Sequence, residues 1–73
     1  MNWVSVKYEL PASGQEVLTA RMFLDKHKGW SDLQYMVDSG QHKVRGYFEE
    51  FEWNGNGKVF YWMPIPELPK EEE

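Results

Sequence analysis

A chain of 73 residues has room for a single domain, and a domain this small buries only about 60% of the surface its unfolded chain exposes. With no cysteine, there is no disulfide to staple the fold and no thiolate to hold a metal. A net charge of -4, with eight scattered Lys and Arg residues, argues against a protein that grips nucleic acid by its phosphates.

Trp3-Val4-Ser5-Val6-Lys7-Tyr8-Glu9-Leu10 alternates imperfectly and stops at Pro11. Residues before proline favour extended backbone, so this segment reads as an arm or a short edge strand. Pro11-Ala12-Ser13-Gly14 is a turn signal. From Val17 the pattern sharpens. Leu18, Ala20, Met22 and Leu24 fall on one side, and Val17, Thr19, Arg21 and Phe23 on the other. That period of two predicts a β-strand. Residues 25–29, centred on His27, read as an exposed loop.

Residues 31–39 fit two templates. Leu33, Tyr35 and Val37 alternate as a strand does, while Ser31 and Gln34 have capping-box spacing and Leu33, Met36 and Val37 fit a helix face. The strand is preferred because Tyr and Val suit a pleated surface; a short helix is the alternative. After a turn at 38–41, Lys43 to Trp53 reads as one long strand. Asn54-Gly55-Asn56-Gly57 is the strongest local signal, since Asn-Gly is the favoured two-residue hairpin loop. A loop at Asn56-Gly57 sets Trp53 opposite Phe60 and Phe51 opposite Trp62, lining one face with aromatics. A loop at Asn54-Gly55 sets Phe51 opposite Lys58. The first, or a wider loop over all four residues, is the predicted hairpin near 54–57.

Met63-Pro64-Ile65-Pro66-Glu67-Leu68-Pro69 reads as an extended Pro-rich C-terminal strap, because proline lacks the ladder donor. Residues 70–73 read as a charged, mobile tail. The predicted organisation is one domain over residues 1–69, mainly β, built on a small antiparallel sheet of roughly three to four strands. The rings, 16% of the chain, serve mostly as core, with a few left for a recognition surface.

The two ends carry a resemblance. Trp3-Val4-Ser5-Val6 leading to Leu10-Pro11 and Gly14-Gln15-Glu16-Val17-Leu18, together with Trp62-Met63-Pro64-Ile65-Pro66, resemble a family of small uncharacterised proteins carried by phages and prophages. Its members open with Trp-Ile-Ser-Val and Leu-Pro and close with Trp-Met-Pro-Leu-Pro. The middle, from about Thr19 to Val59, matches only in its strand-like character. A His commonly precedes the Trp-Met-Pro segment in that family; Tyr61 stands there here, so any role of that His does not carry over. The resemblance implies an accessory gene product working in the cytosol of a bacterial host. It also implies that the end motifs are packing parts, with Trp3 and Trp62 packed together.

Catalytic chemistry has no foothold in the pattern. His27 and His42 fall in loop-like segments and read as solvated, and no further residues stand at metal-ligand spacing. Glu49, Glu50 and Glu52 alternate with aromatics, but an acid/base pair such as glycosidases use needs a walled cleft; a solvated strand edge is the expected setting. No serine lies in a nucleophile elbow, and no glycine run forms a phosphate loop. Pro66-Glu67-Leu68-Pro69 fits a PxxP pattern but reads as strap. No catalytic residue, metal or cofactor is therefore expected.

No run approaches the roughly 18 apolar residues of a membrane helix, and the N-terminus has no signal-peptide pattern. The expected location is cytoplasmic, with no direct nucleic-acid or membrane partner. The expected function is non-catalytic binding to a host protein, as an inhibitor or modulator with an acidic and aromatic surface at Tyr47, Glu49, Glu50, Glu52 and Tyr61. Two alternatives stand beside it. One is a small-ligand or enzymatic domain with a pocket between the hairpin and the strap. The other is a structural module in which a second copy covers the free sheet face, as in a homodimer.

Overall fold

The computed structural model describes residues 2–66. Eight strands follow one another: β1 (Val4–Ser5), β2 (Val17–Met22), β3 (Leu24–Asp25), β4 (Gly29–Trp30), β5 (Gln34–Asp38), β6 (Gly40–Arg45), β7 (Phe48–Trp53) and β8 (Lys58–Pro64). All pairings are antiparallel, and there is no helix among the described residues. The mainly β reading therefore holds, and of the two templates for residues 31–39 the strand forms.

The central sheet has the order β1-β8-β2-β5. Its axis is the β2–β8 pair, in register from Val17↔Pro64 to Met22↔Lys58 with a bulge between Ala20 and Arg21. The core is Val17, Ala20, Val59, Trp62 and Met63, joined by the buried polar residues Thr19 and Arg21. Side chains alternate across the pleat, so Val17, Thr19, Arg21, Asp38 and Trp62 share one face. The segment after β1 closes this face: Pro11 is fully buried, and the Trp62 indole Nε1 donates to the Glu9 carbonyl at 2.9 Å.

The long strand expected over 43–53 is two strands. β6 and β7 pair from Gly40↔Trp53 to Arg45↔Phe48 around the two-residue loop Gly46-Tyr47. Gly46 has φ 61 and Tyr47 does not have a positive φ. Glycine first with a positive φ is the type II′ hairpin pattern. β7 is thus paired to β6, in a two-stranded sheet separate from β8, so the predicted Trp53–Phe60 and Phe51–Trp62 register does not form. Asn54–Gly57 turns the chain from one sheet to the other. Its backbone is engaged elsewhere: the Gly55 N–H donates to Asp38 Oδ2 at 2.9 Å, the Asn56 carbonyl accepts from Arg21 Nη1 at 2.8 Å, and the Asn54 N–H donates to the Ser39 carbonyl at 3.0 Å.

Two further expectations change. Met63 and Pro64, assigned to the strap, end β8 opposite Leu18 and Val17. The Val6 N–H donates to the Phe60 carbonyl, so even-numbered residues of β8 turn their backbone groups toward the β1 side. β1 is only two residues long, so Pro64 leaves no ladder partner unsatisfied. The strap from residue 67, the PxxP pattern and the tail at 70–73 lie outside the described residues. Trp3 and Trp62 do not pack together. Val4 is the residue opposite Trp62, so Trp3 points to the other face, where its ring lies 5.7 Å from that of Tyr35.

Candidate functional site

Two surfaces organise the described side chains, and the sealed one fixes the open one. On the sealed face, Arg21 is completely buried. Its Nη2 lies 2.6 Å from Asp38 Oδ2 and 2.8 Å from Thr19 Oγ1, and its Nε donates to the same hydroxyl at 3.1 Å. Thr19 Oγ1 donates in turn to the Met36 carbonyl at 2.7 Å. Burial pushes the Asp38 carboxyl up, but the Arg21 hydrogen bond, the Gly55 and Ser39 N–H groups and the Arg21 charge outweigh it, and the net shift is downward. A buried charge pair is tolerable only when its remaining hydrogen-bonding groups are satisfied, and among the described residues no buried side-chain polar atom lacks a partner. The network therefore ties β2, β5 and the 54–57 crossing together. It is structural cement with no substrate-facing group.

The open surface is the other face of the same sheet. Trp3, Tyr35, Val37 and Tyr61 are 39, 64, 53 and 43% exposed. Trp3, Leu33, Tyr35 and Tyr61 rim a shallow depression of about 230 Å³ with Ala20 at its floor. A larger groove of about 540 Å³ runs between Ser5–Tyr8 and Lys58–Tyr61. No carboxylate lines it.

The five sequence-predicted residues are dispersed. Tyr47 stands fully exposed at the tip of the β6–β7 loop. Glu50 and Glu52 share one hairpin face with Lys43 and Arg45: Lys43 Nζ lies 2.7 Å from Glu52 Oε2, and Arg45 lies 3.5 Å from Glu50 and 3.8 Å from Glu52. The Lys43 hydrogen bond and charge hold the Glu52 carboxyl below its usual value. Glu49 is on the opposite hairpin face, 3.7 Å from His42 Nδ1. Tyr61 belongs to the aromatic face of the four-stranded sheet. The acids thus have basic neighbours within the hairpin, and of the five only Tyr61 joins the aromatic surface.

Trp3, Leu33 and Tyr35 are the residues that sequence reasoning left out. For Tyr35 a signal was present, since Tyr35 and Val37 share a parity on β5; nothing local marked Trp3 or Leu33. His42, read as solvated loop, sits on β6. Its Nε2 donates to the buried Pro11 carbonyl at 3.2 Å, and its ring meets Phe51 edge-on at 4.8 Å. It links the hairpin to the segment that covers the core. Among the described residues no three His, Asp or Glu side chains gather as metal ligands would.

Comparison with known proteins bears out membership of an uncharacterised family. The family model described as Protein of unknown function (DUF551) matches residues 2–70, and the chain belongs to that family. No curated protein and no solved structure matches it.

Proposed function

We propose that this member of the DUF551 family is a non-catalytic binding module that attaches to a protein partner through the aromatic face of its four-stranded sheet. The observation that carries this reading is the exposure of Trp3, Leu33, Tyr35 and Tyr61 around one shallow depression. Contiguous exposed apolar patches mark interaction sites, and Trp and Tyr dominate the energetics of protein interfaces. A shallow, ring-lined surface suits a protein contact better than a small substrate, which needs concavity and convergent polar groups.

The resemblance of the chain ends to phage and prophage proteins supports a bacterial host protein, met in the cytosol, as the partner. Tyr47 and Glu49 on the hairpin are available for rim contacts. Affinity capture from host lysate tests the reading. A single stoichiometric protein retained by the wild type and lost with Tyr61→Arg is the expected result. A folded bait that retains the same proteins with and without Tyr61→Arg would remove the aromatic face from the proposal.

A further inference from the structure

We infer that Asn56 is a site of spontaneous covalent modification, its side-chain amide lost to attack by the Gly57 nitrogen, and that the fold shields Asn54 of the same loop from the same reaction. This goes beyond the partner-binding reading and uses none of the residues of the aromatic face.

The crossing between the two sheets repeats one dipeptide: Asn54-Gly55-Asn56-Gly57 holds two Asn-Gly pairs. In such a pair the glycine nitrogen can reach the side-chain carbonyl carbon (Cγ) of the asparagine, because glycine has no Cβ to block the approach. The N–Cγ bond forms, the Cγ–Nδ2 bond breaks, and the glycine N–H proton leaves with the amide nitrogen as ammonia. The product is a five-membered cyclic imide. One water then opens the ring. Opening at Cγ leaves aspartate; opening at the main-chain carbonyl carbon leaves isoaspartate. The whole sequence consumes one amide and one water and gives one carboxylate and one ammonium ion, so water is the sole co-reactant.

Both asparagine side chains are exposed, so access to water does not separate them. Hydrogen bonding does. Asn54 is anchored twice to Ser39: its N–H donates to the Ser39 carbonyl at 3.0 Å, and its Nδ2 donates to Ser39 Oγ at 2.9 Å. The Gly55 N–H, which would have to give up its proton, donates to Asp38 Oδ2 at 2.9 Å. Arg21 is paired with that carboxylate and helps to hold it below its ordinary value, so it stays ionised and is a poor base. Negative charge building on the Gly55 nitrogen would be opposed by it. Attack at Asn54 therefore requires breaking both the Ser39 anchor of the side chain and the Gly55 bond.

Asn56 carries no such restraint. Among the described residues its side chain makes no hydrogen bond, and the Gly57 N–H donates to no acceptor. Its main-chain carbonyl alone is held, by Arg21 Nη1 at 2.8 Å. Gly57 has φ 93, a left-handed conformation that favours glycine, so the turn itself keeps the reactive dipeptide in place. The product matters to the fold. Each event adds a negative charge to a chain of net charge -4. In the isoaspartate form the main chain is one methylene longer, and the carbonyl that accepts from buried Arg21 becomes a free carboxylate.

The test is incubation of the folded full chain in mildly alkaline buffer, followed by digestion and mass spectrometry that assigns conversion of amide to acid, and isoaspartate, to each asparagine. Asn56 is expected to react at least about tenfold faster than Asn54, the ratio set by about 1.4 kcal/mol of hydrogen bonding that must be broken at Asn54. In strong guanidinium chloride the two should react at similar rates, which makes the difference a property of the fold. Asn56→Gln moves the side-chain carbonyl beyond five-membered ring closure and keeps the main-chain carbonyl that Arg21 uses; this variant is expected to fold and to leave the loop unmodified over the same period. Equal rates at the two asparagines in the folded chain, or faster reaction at Asn54, overturn the inference. So does an Asn56 that reacts only in denaturant, or a tenfold difference that persists there, which would assign it to local sequence.

Discussion

The face of the four-stranded sheet that carries Arg21, Thr19 and Asp38 is closed, and the face that carries Trp3, Tyr35, Val37 and Tyr61 is open. Polarity alone assigns them the other way round. The polar face is closed because the segment ending at Pro11 and the Asn54–Gly57 crossing lie over it, and because each of its buried polar atoms has a partner. The apolar face is open because no described segment crosses its Trp3–Tyr35–Tyr61 end. In a small domain coverage is scarce. Where the chain places it decides which parts of each face become core, as Ala20 and Met63 do on the Tyr61 side, and which are left for another molecule.

Removing the centre of the closed face should break this arrangement most severely. Arg21→Met leaves the Asp38 carboxylate buried without its counter-charge, a loss of about 3–5 kcal/mol. That is comparable with the whole stability of so small a fold, so no cooperative urea transition should remain by circular dichroism. A transition close to that of the wild type would show that the network is dispensable.

Gly55→Ala should cost less. Its Cβ would lie 2.7 Å from Arg21 Nη1 and 3.0 Å from Asp38 Oδ2, and forcing that contact costs roughly 1–3 kcal/mol, readable as a lowered thermal midpoint.

Acid should probe the same site more gently. Asp38 is held below its ordinary value in the folded state, so the stability it contributes is fully present above the unfolded carboxyl value of about 4. It fades as pH falls through the lower folded value. Urea midpoints measured from neutral to strongly acid pH should fall in that window, and Asp38→Asn should flatten this part of the fall.

On the open face, Tyr61→Ser should change stability by within about 1 kcal/mol while abolishing partner capture. A large loss of stability with capture intact would reverse the contrast between the faces. The smallest effect belongs to the solvated hairpin ladder. Lys43→Gln should shift the thermal midpoint slightly at low salt and not at all at high salt, because exposed pairs are screened.

How much of this the residues announce varies along the chain. β2 was legible from its period of two, and β5 from Tyr35 and Val37, because alternation is a local property of the strand. The β6–β7 hairpin was missed although Arg45-Gly46-Tyr47-Phe48 carries the Gly-first signal of a type II′ loop. Asn-Gly eight residues later is the stronger turn dipeptide and drew the pairing to itself. Of the candidate contact residues, Tyr61 was legible as an aromatic near the strand end. Trp3 and Leu33 were not, since nothing local says that β1 and the approach to β5 converge on one depression. Burial of Arg21 was equally hidden: a lone Arg in an alternating strand looks the same whether it faces water or Asp38.

The sequence by itself determined the class of the protein: one small domain's worth of chain, extended segments punctuated by Gly, Pro and Asn, antiparallel strands, and many rings for few residues. These follow from short-range rules of backbone and pleat. Only the tertiary structure decided that β7 pairs with β6 and β8 with β2, that Arg21 and Asp38 lie inside, and that the aromatic face and the edge of β5 lie outside. The reason is physical. Alternation divides a strand into two faces, but which face is covered, and which edge is paired, depends on distant segments competing for the same backbone groups and the same small area of shelter.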